Sequence, residues 1–243
     1  RSNNLNVLFK LKYKNIKIKF IYGNLLNKKI LSQINDNIDI VIHLASISNA
    51  EESFKITKFI YHNNFEIFKN IVSFCIKKKA KLIHLSSTSV YGKQDSMVDE
   101  KCKSLKPQSP YAHIKLMEEK HLKKNKNKFN FISLRLGTIA GVSKGMRFHT
   151  AVNKFCLNTI LKVEIPIWNN AIDQYRPYLS LSDAVQVIHF IVKKNLFNKQ
   201  TYNVLTRNYT VRQILNIIRK NNFKIKIRKT KSPILNQNSY QVS

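Results

Sequence analysis

The sequence predicts an α/β fold, a doubly wound parallel sheet, and three observations carry that reading. Short apolar runs that are β-branched on consecutive positions recur along the chain, as strands buried on both faces require. Longer stretches with apolar residues three and four apart lie between them, the mark of amphipathic helices. Strand and helix alternate, which implies crossover connections and helices on both faces of the sheet.

Taken in order, Lys17 to Tyr22 (KIKFIY) reads as a strand, followed by Gly23-Asn24-Leu25 and a helix through Ile34. Ile38 to Leu44 (IDIVIHL), Lys81 to Leu85 (KLIHL) and Phe129 to Leu136 (FNFISLRL) read as buried strands. Glu52 to Lys79 and Tyr111 to Lys124 read as the helices between them. Beyond Gly141 the alternation becomes irregular. A helix from Ala151 to Leu161, a short strand from Ile165 to Trp168 and a helix from Ser182 to Lys194 are expected to build a smaller lobe. The tail from Lys229 is polar and weakly patterned, so loose order is expected there.

A chain of 243 residues with 43% hydrophobic residues is long enough for one substantial core. Its 43 Lys+Arg against 13 Asp+Glu give a formal charge of +30, which raises the question of a nucleic-acid partner. The lysines are strewn among Asn and Ile, as in KKNKNK at 123–128, so a solvated, compositionally biased surface is the favoured explanation. Cys75, Cys102 and Cys156 are far apart and form no C-x-x-C pair, which suggests neither a disulfide framework nor a metal site and fits a reducing cytoplasm. No run of about 18 apolar residues suggests a membrane span.

The residues richest in chemistry are Ser86-Ser87-Thr88-Ser89, at the end of the KLIHL strand, and Tyr111 with Lys115. Hydroxyls at the carboxyl end of a parallel strand lie where such sheets bind ligands. Tyr and Lys four apart share one helix face, so the ammonium is expected to favour the phenolate and make Tyr111 a usable base. Tyr13 and Lys17 match the same spacing, but no strand-end hydroxyls or Ser-Pro turn precede them, and they read as surface residues. His43, His84 and His113 read as structural, and Asp183 as the cap of the helix that follows it.

Val41-Ile42-His43-Leu44-Ala45, the Asn64 helix, Leu85 to Gly92, Tyr111 to Lys115 and Arg176 to Asp183, in this order, resemble the NAD-dependent epimerase/dehydratase family of the extended short-chain dehydrogenases/reductases. The resemblance spans roughly Lys19 to Arg219. It implies a Rossmann-like, NAD(P)-binding domain over 1–145 and a smaller, interleaved substrate-binding lobe over 146–243. By this resemblance Ser87 bonds the reacting sugar oxygen, Tyr111 exchanges its proton, and Lys115 holds the nicotinamide ribose. Asn24, Leu25, Leu44, Ala45, Ser46, Asn64 and Gly137 are expected around the cofactor, Asn64 by bracing neighbouring strand ends. Thr88, Thr138 and Arg176 are expected around the substrate, with the Arg176 guanidinium pairing the nucleotide diphosphate. The implied cofactor is NAD, with NADP left open, and the implied partners are a nucleotide sugar and a second copy of the chain.

The family's glycine-rich pyrophosphate loop is not in the sequence. The resemblance places it before Arg1, so a first βαβ unit is expected to be missing, with poor or absent NAD binding as the consequence. Asn24 stands where the family usually has Asp. Thr88 and Ser89 stand where sugar dehydratases carry acidic residues, which disfavours dehydration and leaves epimerisation or keto reduction. The rival readings are a non-catalytic, nucleic-acid-binding relative of the same fold and an inactive gene fragment.

Overall fold

Leu82 and Ile83 are neighbours in one strand, so their side chains point to opposite faces, and both are fully buried. A strand of this kind is stable only with helices on each side. The computed structural model, which describes residues 18–50, 52–231 and 239–243, has that layering. Its first elements are α1 (Lys28–Ser32), β1 (Ile40–His43), α2 (Thr57–Ile60), α3 (Glu66–Lys78), β2 (Lys81–Ser87), α4 (Pro110–Lys124) and β3 (Phe131–Leu136). There follow β4 (Thr138–Ala140), α5 (Ala151–Ile160), β5 (Ile165–Trp168), β6 (Tyr175–Ser180), α6 (Leu181–Lys194), β7 (Thr201–Val204), β8 (Arg207–Thr210), α7 (Val211–Lys220) and β9 (Ile227–Thr230).

Strands β1, β2, β3 and β7 pair in that order, all parallel, and form the main sheet of an α/β fold. The register sets Leu82 opposite Phe131 and Ile83 opposite Ile132. Leu82 and Phe131 pack against Ile67, Phe68 and Ile71 of α3 and Leu122 of α4. On the other face Ile83, Ile132 and Leu134 pack against Ala184 and Ile191 of α6. Each such side chain contributes about 1.5–3 kcal/mol on burial, and the two faces together hold the carboxyl ends of the strands in one plane.

The smaller lobe has β4 parallel to β6, β6 antiparallel to β8, and β5 parallel to β9. Its core joins Phe155 of α5, Ile165 and Ile167 of β5, and Ile214 and Leu215 of α7. The two lobes exchange elements: β7, beyond residue 146, completes the main sheet, and β4, before it, joins the smaller one.

Several expectations are corrected. Residues 18–22 of the expected first strand form no strand or bridge among the described residues; residue 17 lies outside those, as does Tyr13. The helix after Gly23 is confined to α1. The helix expected from Glu52 to Lys79 is broken into a 3-10 turn (Glu52–Phe54), α2, a π turn (Tyr61–Phe65) and α3, and Lys79 ends it in the left-handed conformation. The π turn carries Asn64, whose amide leaves the helix face to bond the backbone of Ile47. The tail is ordered where it is described: β9 runs through Thr230, Tyr240 and Val242 are buried, and Asn208 bonds both backbone groups of Val242. Asp183 does not cap α6. Ser180 does, by accepting the Asp183 N–H at 3.0 Å, while the Asp183 carboxylate accepts the Thr206 hydroxyl.

Candidate active site

The carboxyl ends of β1, β2 and β3 open onto a cavity of about 660 Å3 that continues between the two lobes. Ser87 ends β2 and caps the 3-10 turn Thr88–Tyr91, accepting the Ser89 N–H at 3.2 Å and the Ser89 hydroxyl at 2.9 Å. On the facing helix Ser109 accepts the Ala112 N–H at 3.2 Å and Pro110 supplies a preset first turn. That cap sets the rotation of α4, which turns Tyr111 and Lys115 toward Ser87. Ser87, Tyr111 and Lys115 line the same cavity, and Lys115 Nζ lies 5.8 Å from the Tyr111 ring centre.

Lys115 is buried and its ammonium donates to Glu118 Oε2 at 2.8 Å. The same oxygen lies 2.9 Å from His84 Nε2, and His84 Nδ1 lies 2.8 Å from Ser133 Oγ. A neutral ring that donates from Nε2 and accepts the serine hydroxyl at Nδ1 satisfies both contacts. Burial opposes ionisation of Glu118, yet Lys115 and His84 outweigh it and bring the carboxyl down to about 2. Burial likewise opposes the Lys115 ammonium, but Glu118 first and then Tyr111 hold it above the ordinary lysine value. Tyr111 is raised above the ordinary phenol value: burial acts most, Lys115 opposes it, and Glu118 reinforces it. The expectation that Lys115 simply favours the phenolate is therefore incomplete, because burial raises the phenol more than the ammonium lowers it and Glu118 adds to the rise.

Beside this chain of contacts runs a second one. Glu119 holds Arg135 by two bonds, Nε to Oε1 at 2.9 Å and Nη2 to Oε2 at 2.7 Å, and also accepts the Ser86 hydroxyl at 2.6 Å. Arg135 Nη1 donates to the Tyr91 hydroxyl at 2.8 Å. Adjacent glutamates on α4 thus hold different partners: Glu118 meets His84 of β2, and Glu119 meets Ser86 of β2 and Arg135 of β3.

Of the residues singled out in the sequence, Leu44, Ser46, Ser87, Thr88, Tyr111, Lys115, Gly137, Thr138 and Arg176 line the cavity. A Cβ on Gly137 would meet the Pro177 carbonyl oxygen at 3.0 Å, so glycine lets β6 approach there. Asn24, Leu25, Ala45 and Asn64 do not line it. Asn24 accepts the Leu26 N–H in an exposed turn, and Leu25 packs on the α3 face. Asn64 acts at one remove, by holding Ile47 after β1. Sequence reading missed Arg147, His149, Lys154, Trp168 and Tyr240, all cavity-lining. Tyr240 comes from the chain's end and its hydroxyl stands 3.3 Å from Thr88 Oγ1. No periodicity marked it.

The family model of the NAD dependent epimerase/dehydratase family matches residues 1–204. The chain belongs to this family. It is 28% identical over 179 residues to ADP-L-glycero-D-manno-heptose-6-epimerase of Brachyspira hyodysenteriae, covering 70% of this chain and 56% of that one. It is 27% identical over 209 residues to an uncharacterized UDP-glucose epimerase of Bacillus subtilis, covering 81% and 64%. The chain thus spans less than two thirds of either relative. Its fold matches UDP-glucose 4-epimerase of Thermus thermophilus, solved with NAD, at TM-score 0.81 and 18% identity, covering 93% of this chain and 76% of that one. It matches a dTDP-glucose 4,6-dehydratase of Streptomyces venezuelae, also solved with NAD, at TM-score 0.85 and 17% identity, covering 99% and 75%.

The family is NAD-dependent, and the cavity has features that fit the cofactor. His43 Nε2 and Ser46 Oγ are buried and lack a hydrogen-bond partner among the described residues. Both belong to residues at the cavity end of β1, where a ligand's polar edge would satisfy them. Gly137 leaves the adjoining wall without a side chain.

Proposed function

We propose that this protein is an NAD-linked epimerase or keto-reductase of a nucleoside-diphosphate sugar, with Tyr111 as the proton-transfer group. The observation that carries the reading is the convergence of Ser87, Tyr111 and Lys115 on one cavity, with Lys115 Nζ 5.8 Å from the Tyr111 ring centre. Leu44, Ser46, Lys115 and Gly137 would hold the nicotinamide, which would supply a hydride acceptor and donor there. Ser87 orients the sugar oxygen and Tyr111 Oη takes its proton as the carbon is oxidised. The same Oη returns the proton to that oxygen when the carbonyl is reduced; for an epimerase the hydride would return to the opposite face of the carbon. Arg176, on the β6 wall, pairs with the diphosphate. Among the described residues the cavity wall has no Asp or Glu, and Thr88 and Ser89 follow Ser87, so no carboxylic acid is placed to expel water from the sugar. This supports epimerisation or reduction over dehydration.

The test is an assay of the purified chain with NAD and a panel of nucleoside-diphosphate sugars, read by product chromatography. Turnover should appear and fall by about 100-fold or more in Tyr111→Phe, while nucleotide binding measured by calorimetry is retained. Turnover that survives Tyr111→Phe would exclude Tyr111 as the proton-transfer group.

A further inference from the structure

The buried glutamate beneath the Tyr-Lys pair is not needed to build the helix, and its surroundings give it a role of their own. Glu118 is one helical turn beyond Lys115, with its side chain fully buried, and one of its oxygens is shared between the Lys115 ammonium at 2.8 Å and His84 Nε2 at 2.9 Å. His84 is itself fixed, by Ser133 Oγ at 2.8 Å and by the Phe68 ring, whose centre is 4.9 Å away. The carboxylate therefore has little freedom to swing. Its second oxygen, Oε1, is buried with no hydrogen-bond partner among the described residues, so one oxygen carries both contacts.

We propose that Glu118, steadied by His84, is a positioning residue for Lys115: it holds the ammonium beneath the Tyr111 ring and sets how much of its positive charge acts on the phenol. The inference rests on the reading of Tyr111 as the proton-transfer group. An apolar pair of similar volume would support α4 at least as well, since a buried ion pair adds little net stability over a hydrophobic one. A charge kept here, one turn from Tyr111 and Lys115, has an electrostatic effect on the phenol that packing alone does not require.

Other charged and titratable groups face the cluster. His43 of β1 stands across the Phe68 ring from His84, with ring centres 5.8 Å and 4.9 Å from it. From α4 come Tyr111 and Glu119, the latter neutralised by Arg135 of β3. Arg147 adds a positive charge that favours the Tyr111 phenolate. Glu118 is the carboxylate bonded directly to Lys115.

The experiment is a tyrosinate titration at 295 nm of the purified chain, taking the difference from its Tyr111→Phe counterpart so that one phenol is read. In Glu118→Gln, which keeps the shape and removes the charge, the acid dissociation constant of Tyr111 should rise about tenfold. In Glu118→Asp the charge remains but the side chain is one methylene too short to bridge His84 and Lys115, so the constant should rise by less. Circular dichroism establishes that each variant is folded. If Glu118→Gln does not fold, Glu118→Asp decides. An unchanged or lowered constant in the folded variants overturns the proposal. No nucleotide or sugar enters this titration. A shifted Tyr111 in a chain that turns nothing over would therefore defeat the functional reading and leave the positioning role intact.

Discussion

The side-chain amide of Asn64 closes a two-way bond with the backbone of Ile47, donating to its carbonyl at 2.9 Å and accepting its N–H at 3.0 Å. Asn64 is buried within a π turn, so the amide holds the segment between Leu44 and Ser48 at the mouth of the cavity without lining the cavity itself. Asn64→Ala leaves both Ile47 groups unpaired and should cost about 1–3 kcal/mol. Hydrogen exchange at the Ile47 amide should accelerate in step. Unchanged exchange there would show that the bond does not restrain the segment.

The buried Arg135–Glu119 pair predicts an asymmetric response. Arg135→Met alone abandons a buried carboxylate and should destabilise the fold by about 3–5 kcal/mol. Arg135→Met combined with Glu119→Leu should lose less than the single replacement, because no uncompensated charge remains. Urea midpoints of the two variants measure the difference, and equal losses would contradict it.

His43 predicts an acid limb in stability. Burial, aided by the nearby Lys115 ammonium, lowers its imidazole to about 4. Unfolded, the ring titrates near 6.5. Between these values the unfolded chain binds the extra proton, so stability rises with pH there and is fully present above about 6.5. The loss on acidifying from 6.5 to 4 should be about 3 kcal/mol, and His43→Leu should remove most of that slope in urea melts taken across the interval. Glu118, brought down to about 2, acts lower: its contribution is complete above the ordinary carboxylate value near 4.5 and disappears as pH falls through about 2.

Arg176 tests the diphosphate assignment. Arg176→Ala should weaken uridine diphosphate binding by about 10- to 100-fold, the worth of a charge-assisted contact. Arg176→Lys should recover only part, since an ammonium lacks the planar fork. Calorimetric affinities that do not separate the three proteins would remove Arg176 from the diphosphate site.

What the sequence determined by itself is periodic or local. Consecutive apolar residues in IDIVIHL and KLIHL announced strands covered on both faces, and β1 and β2 form there. Apolar residues three and four apart from Tyr111 to Lys124 announced a helix, and with it the shared face of Tyr111 and Lys115, and α4 forms there. Thr210 and Gln213 formed a capping box that could have revealed α7 and went unread. By contrast, β6 was hidden by Pro177, and β7 and β8 by their four-residue length and polar content.

Tertiary structure alone decided which polar groups meet. His84, Glu118 and Ser133 come from two strands and a helix, and the contacts that join them span 34 and 49 positions of the chain. Tyr240 reaches Thr88 across 152. The physical reason is that a repeat of 2 or 3.6 residues records which face of an element is removed from water, a property each segment carries alone. A buried hydrogen bond between distant residues depends on the rotation and register of several elements at once, and leaves no period behind. For that reason the sequence placed Lys115 beside Tyr111, while the fold buried the phenol, which above all turns its net shift upward, and placed Glu118 against Lys115.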